Sequence, residues 1–250
     1  MNHRSTVELK AIARDKLLGN YSTVIGAIVT VQLIFVATNY IAKSVSDLYS
    51  VVGMAIYVAV TLISGLIGAV FTVGELTMYL KLACGDKIAY KDIFSAFFGH
   101  PDKIIVLDFI FSLRCLIWLL PAGLTYAVMY YKHLDGETLT FLLVGLSVLG
   151  IVGMIYTYIR LSQVFFIFLD YPDLTVREIM EKSIDLMHGQ YGRFLGIMVS
   201  FIPIYLLGIL SLGIGFIFIQ PYRNMTYTEF YLGIAAGKPV TGNNFDVMIG

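Results

Sequence analysis

Arg114, Arg160 and Arg223 each fall inside a long apolar stretch of the chain, and so do the acids Glu75, Asp108 and Glu229. At 1.5 Å per residue Arg114 lies about 16 Å along a helix from Lys103, and Arg160 about 15 Å from Asp170. A guanidinium at that depth in hydrocarbon costs at least ~2.5–3.5 kcal/mol, so each must face a protein interior, a partner or water. Two chemistries fit. In one, the arginines line a polar cavity and hold an anionic group (a phosphate, a carboxylate or a lipid headgroup) through their fixed fork of donors. In the other, three arginines and three acids are matched pairs that lock helix order and bind nothing, a role in specificity more than in stability. What separates them is whether the arginines line an accessible cavity or are fully paired.

Other chemistry is not supported. The chain has no HExxH, GxSxG, phosphate-loop or dinucleotide-glycine pattern, so no catalytic residue is assigned and no enzyme is expected. Cys84 and Cys115 form no CxxC pair and read as reduced packing residues. His3, His100, His133 and His188 are scattered over loops and termini, so neither a metal nor a cofactor is expected. Asp170 and Asp173 in "DYPDLT" read as turn and cap acids, and Trp118 with tyrosines such as Tyr126 and Tyr156 as packing or interfacial anchors.

The elements that must position these residues are helices in a membrane. Of the 250 residues 58% are hydrophobic and only 14% charged, with a mean hydropathy of +0.81, whereas soluble domains carry about 25% charge. Lys+Arg and Asp+Glu both number 17, which offers nothing to nucleic acid. Residues 1–20 are mixed in polarity and not a removable signal peptide, so the N-terminus is expected to be retained. Apolar stretches at 21–42, 51–83, 104–131, 139–169 and 194–220 each exceed the ~20 residues that cross a bilayer. A tight turn near 211–214, where Gly208, Gly213 and Gly215 cluster, divides the last into spans at 194–211 and 214–234. We favour six spans over five, although the sixth then contains Pro221, Arg223 and Glu229. The fold expected is an all-α polytopic bundle forming one integral membrane domain over 1–250.

Ten Lys and Arg residues lie in the N-terminal, 84–103 and 170–193 segments, against Lys43 and Lys132 in the opposite links at 43–50, 132–138 and 211–214. Both termini should therefore be cytoplasmic. Along 176–187, Val176, Ile179, Met180, Ile184 and Met187 share one helical face, with Arg177, Glu178, Glu181, Lys182 and Asp185 opposite. Thr175 and Glu178 have capping-box spacing, and Gly189 supplies the stop. An offset of 170 residues places Ser5, Glu8, Gly19 and Tyr21 on Thr175, Glu178, Gly189 and Tyr191. A weaker third copy is "YKDIFSAFFGHPDK" at 90–103, with Tyr90, Ile93, Phe94, Phe97 and Phe98 on one face and Gly99 after it. The pattern predicts a pseudo-threefold repeat of interfacial amphipathic helix plus transmembrane hairpin, in units 4–83, 89–169 and 174–235.

"ELKAIARDKLLGNY" at the start, "RLSQVFFIFLDYPDLTVREIMEKSIDLMHGQYGRFL" at 160–195 and "LSLGIGFIFIQPYRNMTYTEFY" at 210–231 resemble the bacterial membrane-protein family catalogued as domain of unknown function 975. The resemblance implies a multi-pass protein of the bacterial plasma membrane and carries over no catalytic residue. The expected function is membrane organisation or binding without catalysis. The alternative is a small transporter or an export/immunity factor, handling an anionic or amphipathic substrate through a central arginine-lined cavity; an accessory subunit of a larger complex is a third reading. The expected partners are membrane lipids, with a second copy or another membrane protein as further candidates and no nucleic acid.

Overall fold

A computed structural model describes residues 4–45, 50–132 and 136–236. Every regular element among them is helical: α1 (Thr6–Leu17), α2 (Tyr21–Val45), α3 (Val51–Cys84), a 3-10 segment (Tyr90–Phe97), α4 (Pro101–Leu116), a 3-10 turn (Ile117–Leu119), α5 (Leu120–Lys132), α6 (Glu137–Leu161), α7 (Val164–Asp170), α8 (Val176–Met187), α9 (Tyr191–Ser200), α10 (Ile202–Leu210) and α11 (Phe216–Ala235). Five helical runs are long and apolar enough to cross a membrane: Tyr21–Ser44, Val51–Cys84, Pro101–Lys132, Glu137–Asp170 and Tyr191–Leu210. The links expected at 43–50 and 132–138 fall partly outside the described residues, as do His3 and His133.

The helix ends follow from local chemistry. At α1, Ser5 Oγ accepts from the Glu8 amide at 3.2 Å and Glu8 Oε2 from the Ser5 amide at 2.7 Å. At α8, Thr175 and Glu178 repeat the exchange at 3.3 and 2.8 Å. Both helices stop at a left-handed glycine, Gly19 at φ 83° and Gly189 at φ 80°, and the next helices begin at Tyr21 and Tyr191. α8 buries Ile179, Met180, Ser183 and Met187 and leaves Arg177, Glu178 and Glu181 exposed.

The 90–98 segment corrects the sequence reading. It is a 3-10 helix that buries Asp92, Ile93 and Ala96, while Tyr90, Phe94, Phe97 and Phe98 are exposed. At three residues per turn, positions 93 and 96 stack on one line, which a 3.6-residue wheel separates. Asp92 fastens the segment by accepting from the Ala89 amide at 2.8 Å and from Lys81 Nζ at 3.1 Å. Gly74 of α3 makes room for it: a Cβ there would stand 2.0 Å from the Ile93 carbonyl oxygen. The expectation that Cys84 is a packing residue also fails, since it is exposed at the end of α3.

Three apolar clusters hold the molecule together, and α11 contributes to each: Tyr231 to the first, Met225 to the second, Phe230 and Ile234 to the third. They gather at the end that carries α1, the 3-10 segment and α8. The helix stretches away from that end expose large apolar side chains, such as Leu33 at 64%, Leu62 at 65%, Leu149 at 67% and Leu210 at 77%. Apolar area on this scale suits hydrocarbon and would aggregate in water. The turn expected near 211–214 is present, with Leu212 at φ 55° and Gly213 at φ 90°.

Basic residues at the packed end donate to stray carbonyls. Lys10 Nζ reaches Ser200 O at 2.8 Å, where α9 yields to α10. Lys16 Nζ reaches Ala83 O at 3.0 Å and Lys103 Nζ reaches Leu174 O at 3.2 Å. Burial lowers the pKa of the Lys10 ammonium from its ordinary value.

Gly74→Ala should therefore destabilise the protein by about 1–3 kcal/mol, measured as unfolding in detergent. Gly65→Ala, where nothing lies within 4 Å of the added carbon, should leave stability unchanged or raise it. Equal effects would mean that the 3-10 segment does not rest on α3 as described. The Thr175 hydrogen bonds hold the Glu178 carboxyl below its ordinary pKa, so its contribution is present above the unfolded-state pKa and lost as pH falls through the folded-state value. Thr175→Ala should lower Tm by about 2–4 °C near neutral pH, and the gap to wild type should narrow as pH falls from about 7 to about 3.

Candidate functional site

The polar centre of the bundle is built by α3 and α11. Glu75 Oε1 accepts from Tyr79 Oη at 2.9 Å and from Asn224 Nδ2 at 2.9 Å. Asn224 Oδ1 in turn accepts from Arg223 Nε at 3.1 Å and Nη2 at 3.0 Å, and Arg223 Nη1 donates to Tyr205 Oη of α10 at 3.2 Å. The Arg223 Cζ also stands 5.9 Å from the Tyr227 ring centroid, close enough for a cation–π attraction. One amide side chain thus relays between a carboxylate and a guanidinium that do not touch, and each charged group has neutral donors or acceptors around it.

The other sequence candidates do not join this network. Glu229, buried on α11, pairs with Arg4 Nη1 at 3.2 Å rather than with an arginine of the apolar stretches. Arg160 has its Cζ 5.3 Å from the Tyr156 ring centroid, its carbonyl accepts from Ser183 Oγ at 3.0 Å, and its buried Nε has no partner among the described residues. Asp108 is half-buried and Arg114 exposed, and neither has a polar partner among the described residues. The three arginines and three acids are therefore not three matched pairs. Asp170 serves the packing of α7 by accepting a hydrogen bond from Tyr231 of α11.

A cavity of about 370 Å³ between α2 and α3, lined by Gln32, Asn39, Ser64 and Glu75, reaches the carboxylate of the polar centre. A second of about 580 Å³, by Lys81, Asp86, Ser95, His100 and Asp170 among apolar walls, sits where α3, the 3-10 segment, α4 and α7 meet. A third of about 550 Å³ brings Arg4, Lys16, Arg193 and Glu229 together between α1, α3, α9 and α11. None of the three is lined by Arg114, Arg160 or Arg223. Sequence reasoning missed Arg4, Lys16 and Arg193 as a group. In sequence they count only as topology-setting charges, although each sits within a few residues of a helix junction marked by a cap or a glycine.

A helical bundle with five membrane-length apolar runs, its large apolar side chains outermost, defines a helical membrane protein. The chain belongs to the family described as "Protein of unknown function (DUF975)", whose model matches residues 1–238. No curated protein and no solved structure matches it.

The relay predicts that Asn224→Leu lowers stability by about 1–3 kcal/mol. A double-mutant cycle between Glu75→Gln and Arg223→Gln should give a coupling of about 0.5–1.5 kcal/mol in detergent unfolding. Strict additivity of the two would show that the carboxylate and the guanidinium act separately.

Proposed function

We propose that the chain is a non-enzymatic, six-span protein of the bacterial plasma membrane that acts by binding lipid or a membrane partner, with both termini on the cytoplasmic side. The observation that carries this reading is the engagement of Arg223, which is spent on Asn224 and Tyr205, while Arg114, Arg160 and Arg223 line none of the three cavities. A transporter or export/immunity factor that grips an anion at mid-membrane needs an open arginine-lined cavity.

α11 serves as the sixth span on this reading. It has 20 residues, the length of a crossing, and Gln220, Arg223, Asn224 and Glu229 lower its hydropathy because it faces protein more than lipid. α1 and α8 lie along the cytoplasmic interface, each capped in the same way and each handing over to a span through glycine and tyrosine. The units 4–83, 89–169 and 174–235 then share one plan, with a 3-10 segment replacing the α-helix in the middle unit. The basic residues concentrated at that end set the orientation.

Two measurements test the proposal. In a Cys84→Ser/Cys115→Ser background, Ser5→Cys and Ala236→Cys should react with an impermeant maleimide only from the cytoplasmic side, and Leu212→Cys only from outside. Labelling of Ala236→Cys from outside would remove the sixth span. Proteoliposomes carrying the wild-type chain should show no flux of phosphate or acetate above empty vesicles; a flux abolished by Arg223→Gln would install the transporter reading instead.

A further inference from the structure

We propose that the cleft between α1, α3, α9 and α11 binds the phosphate of an anionic phospholipid headgroup. Its lining sets three cations, Arg4, Lys16 and Arg193, against the single carboxylate of Glu229. The cations are fixed from behind. Arg4 Nη1 lies 3.2 Å from Glu229 Oε2, whose side chain is 5% exposed, yet the Arg4 side chain as a whole stays 53% exposed. Arg193 is held by Nη2 to the Arg4 carbonyl at 3.0 Å and by Nη1 to Gln190 Oε1 at 2.6 Å, and its Cζ stands 5.5 Å from the Phe230 ring centroid. Lys16 spends one donor on Ala83 O and has three. The carboxylate neutralises one cation and leaves an excess of positive charge in a pre-shaped site, where guanidinium forks match phosphate oxygens.

The depth of the cleft selects the source of that phosphate. Arg193 is two residues into the apolar run Tyr191–Leu210, and Lys16 bonds the next-to-last residue of the run Val51–Cys84. Both place the cations at the boundary where hydrocarbon gives way to water, the level of lipid phosphates. The remaining wall includes Leu9, Ile12, Phe230 and Leu232, an apolar surface for the glycerol and upper acyl chain. Basic pockets between helices on the cytoplasmic side are the sites where anionic headgroups dock. A soluble phosphate would use the cations and ignore that wall.

The inference rests on the membrane-spanning reading of α3 and α9, and the test separates the two. The full chain is placed in nanodiscs of equal parts phosphatidylglycerol and phosphatidylcholine, incorporation is read by co-elution with the belt protein, and the lipids retained are counted by native mass spectrometry. Wild type should keep phosphatidylglycerol over phosphatidylcholine, and Arg193→Gln and Lys16→Gln, as folded protein, should each retain about fivefold less of it. The double variant Arg4→Gln/Glu229→Gln, which removes cation and carboxylate together, leaves no buried charge unpaired and the same excess of positive charge in the cleft, and should keep the preference. Equal retention of the two lipids by wild type, undiminished phosphatidylglycerol on folded Arg193→Gln and Lys16→Gln, or loss of the preference in the folded double variant overturns the proposal. Displacement of the lipid by millimolar inorganic phosphate in the wild type would assign the cleft to a soluble anion and likewise overturn it. Failure of the chain to enter the discs would strike the spanning reading first, and the lipid site with it.

Discussion

The side-chain amide of Asn224 joins Glu75 on α3 to Arg223 on α11, and the arrangement of the bundle depends on groups like these finding partners inside the protein. Hydrocarbon supplies no hydrogen bonds, so a polar side chain on a membrane helix must turn toward another helix. α11 has too many such side chains to face lipid. It is drawn to the centre, where Tyr205 and Tyr79 complete the hydrogen bonding and where its apolar residues can enter all three clusters. The same constraint explains Lys10, Lys16 and Lys103, which donate to carbonyls at the α9–α10 break, at the end of α3 and in the loop before α8.

Two kinds of surface result. At the packed end, the capped helix α8 buries one face and turns its charges outward, while the 3-10 segment buries Asp92 and leaves its aromatic rings exposed. Beyond it, the hairpins carry apolar residues that gain nothing from burial in protein, since lipid tails are equally apolar, and their pairing rests on close fit. Trp118 illustrates this: its indole lies where a Cβ on Gly153 would come within 2.3 Å, and its Nε1 donates to Thr157 Oγ1 at 2.8 Å. Burial is therefore concentrated at the packed end, and close fit carries the pairing beyond it.

Much of this was legible in the residues. The capping boxes at Ser5 and Thr175, the glycine stops and the turn near 211–214 depend on neighbours a few positions apart, and local chemistry decides them. The polar cluster was read in part. Glu75 and Arg223 belong together, but Asn224, the residue that connects them, is an ordinary amide with no pattern of its own. Arg4 and Glu229 are 225 positions apart, and no local rule pairs them. Hydropathy leaves α11 outside the five membrane-length runs because it measures fitness for lipid, a different quantity from burial. The 3-10 segment escaped because its aromatic residues fit a helical wheel that its backbone does not follow.

The central place of α11 has a consequence in time. It follows in the chain every element that it binds, so during synthesis the earlier hairpins enter the bilayer before the helix that unites them exists. Until then Glu75 has Tyr79 but lacks Asn224, and each of the three clusters lacks a member. The unfinished protein must persist as loosely associated hairpins, its polar centre open to lipid, water or another membrane protein. Assembly is thus ordered by translation, and α11, delivered after its partners, acts as the latch.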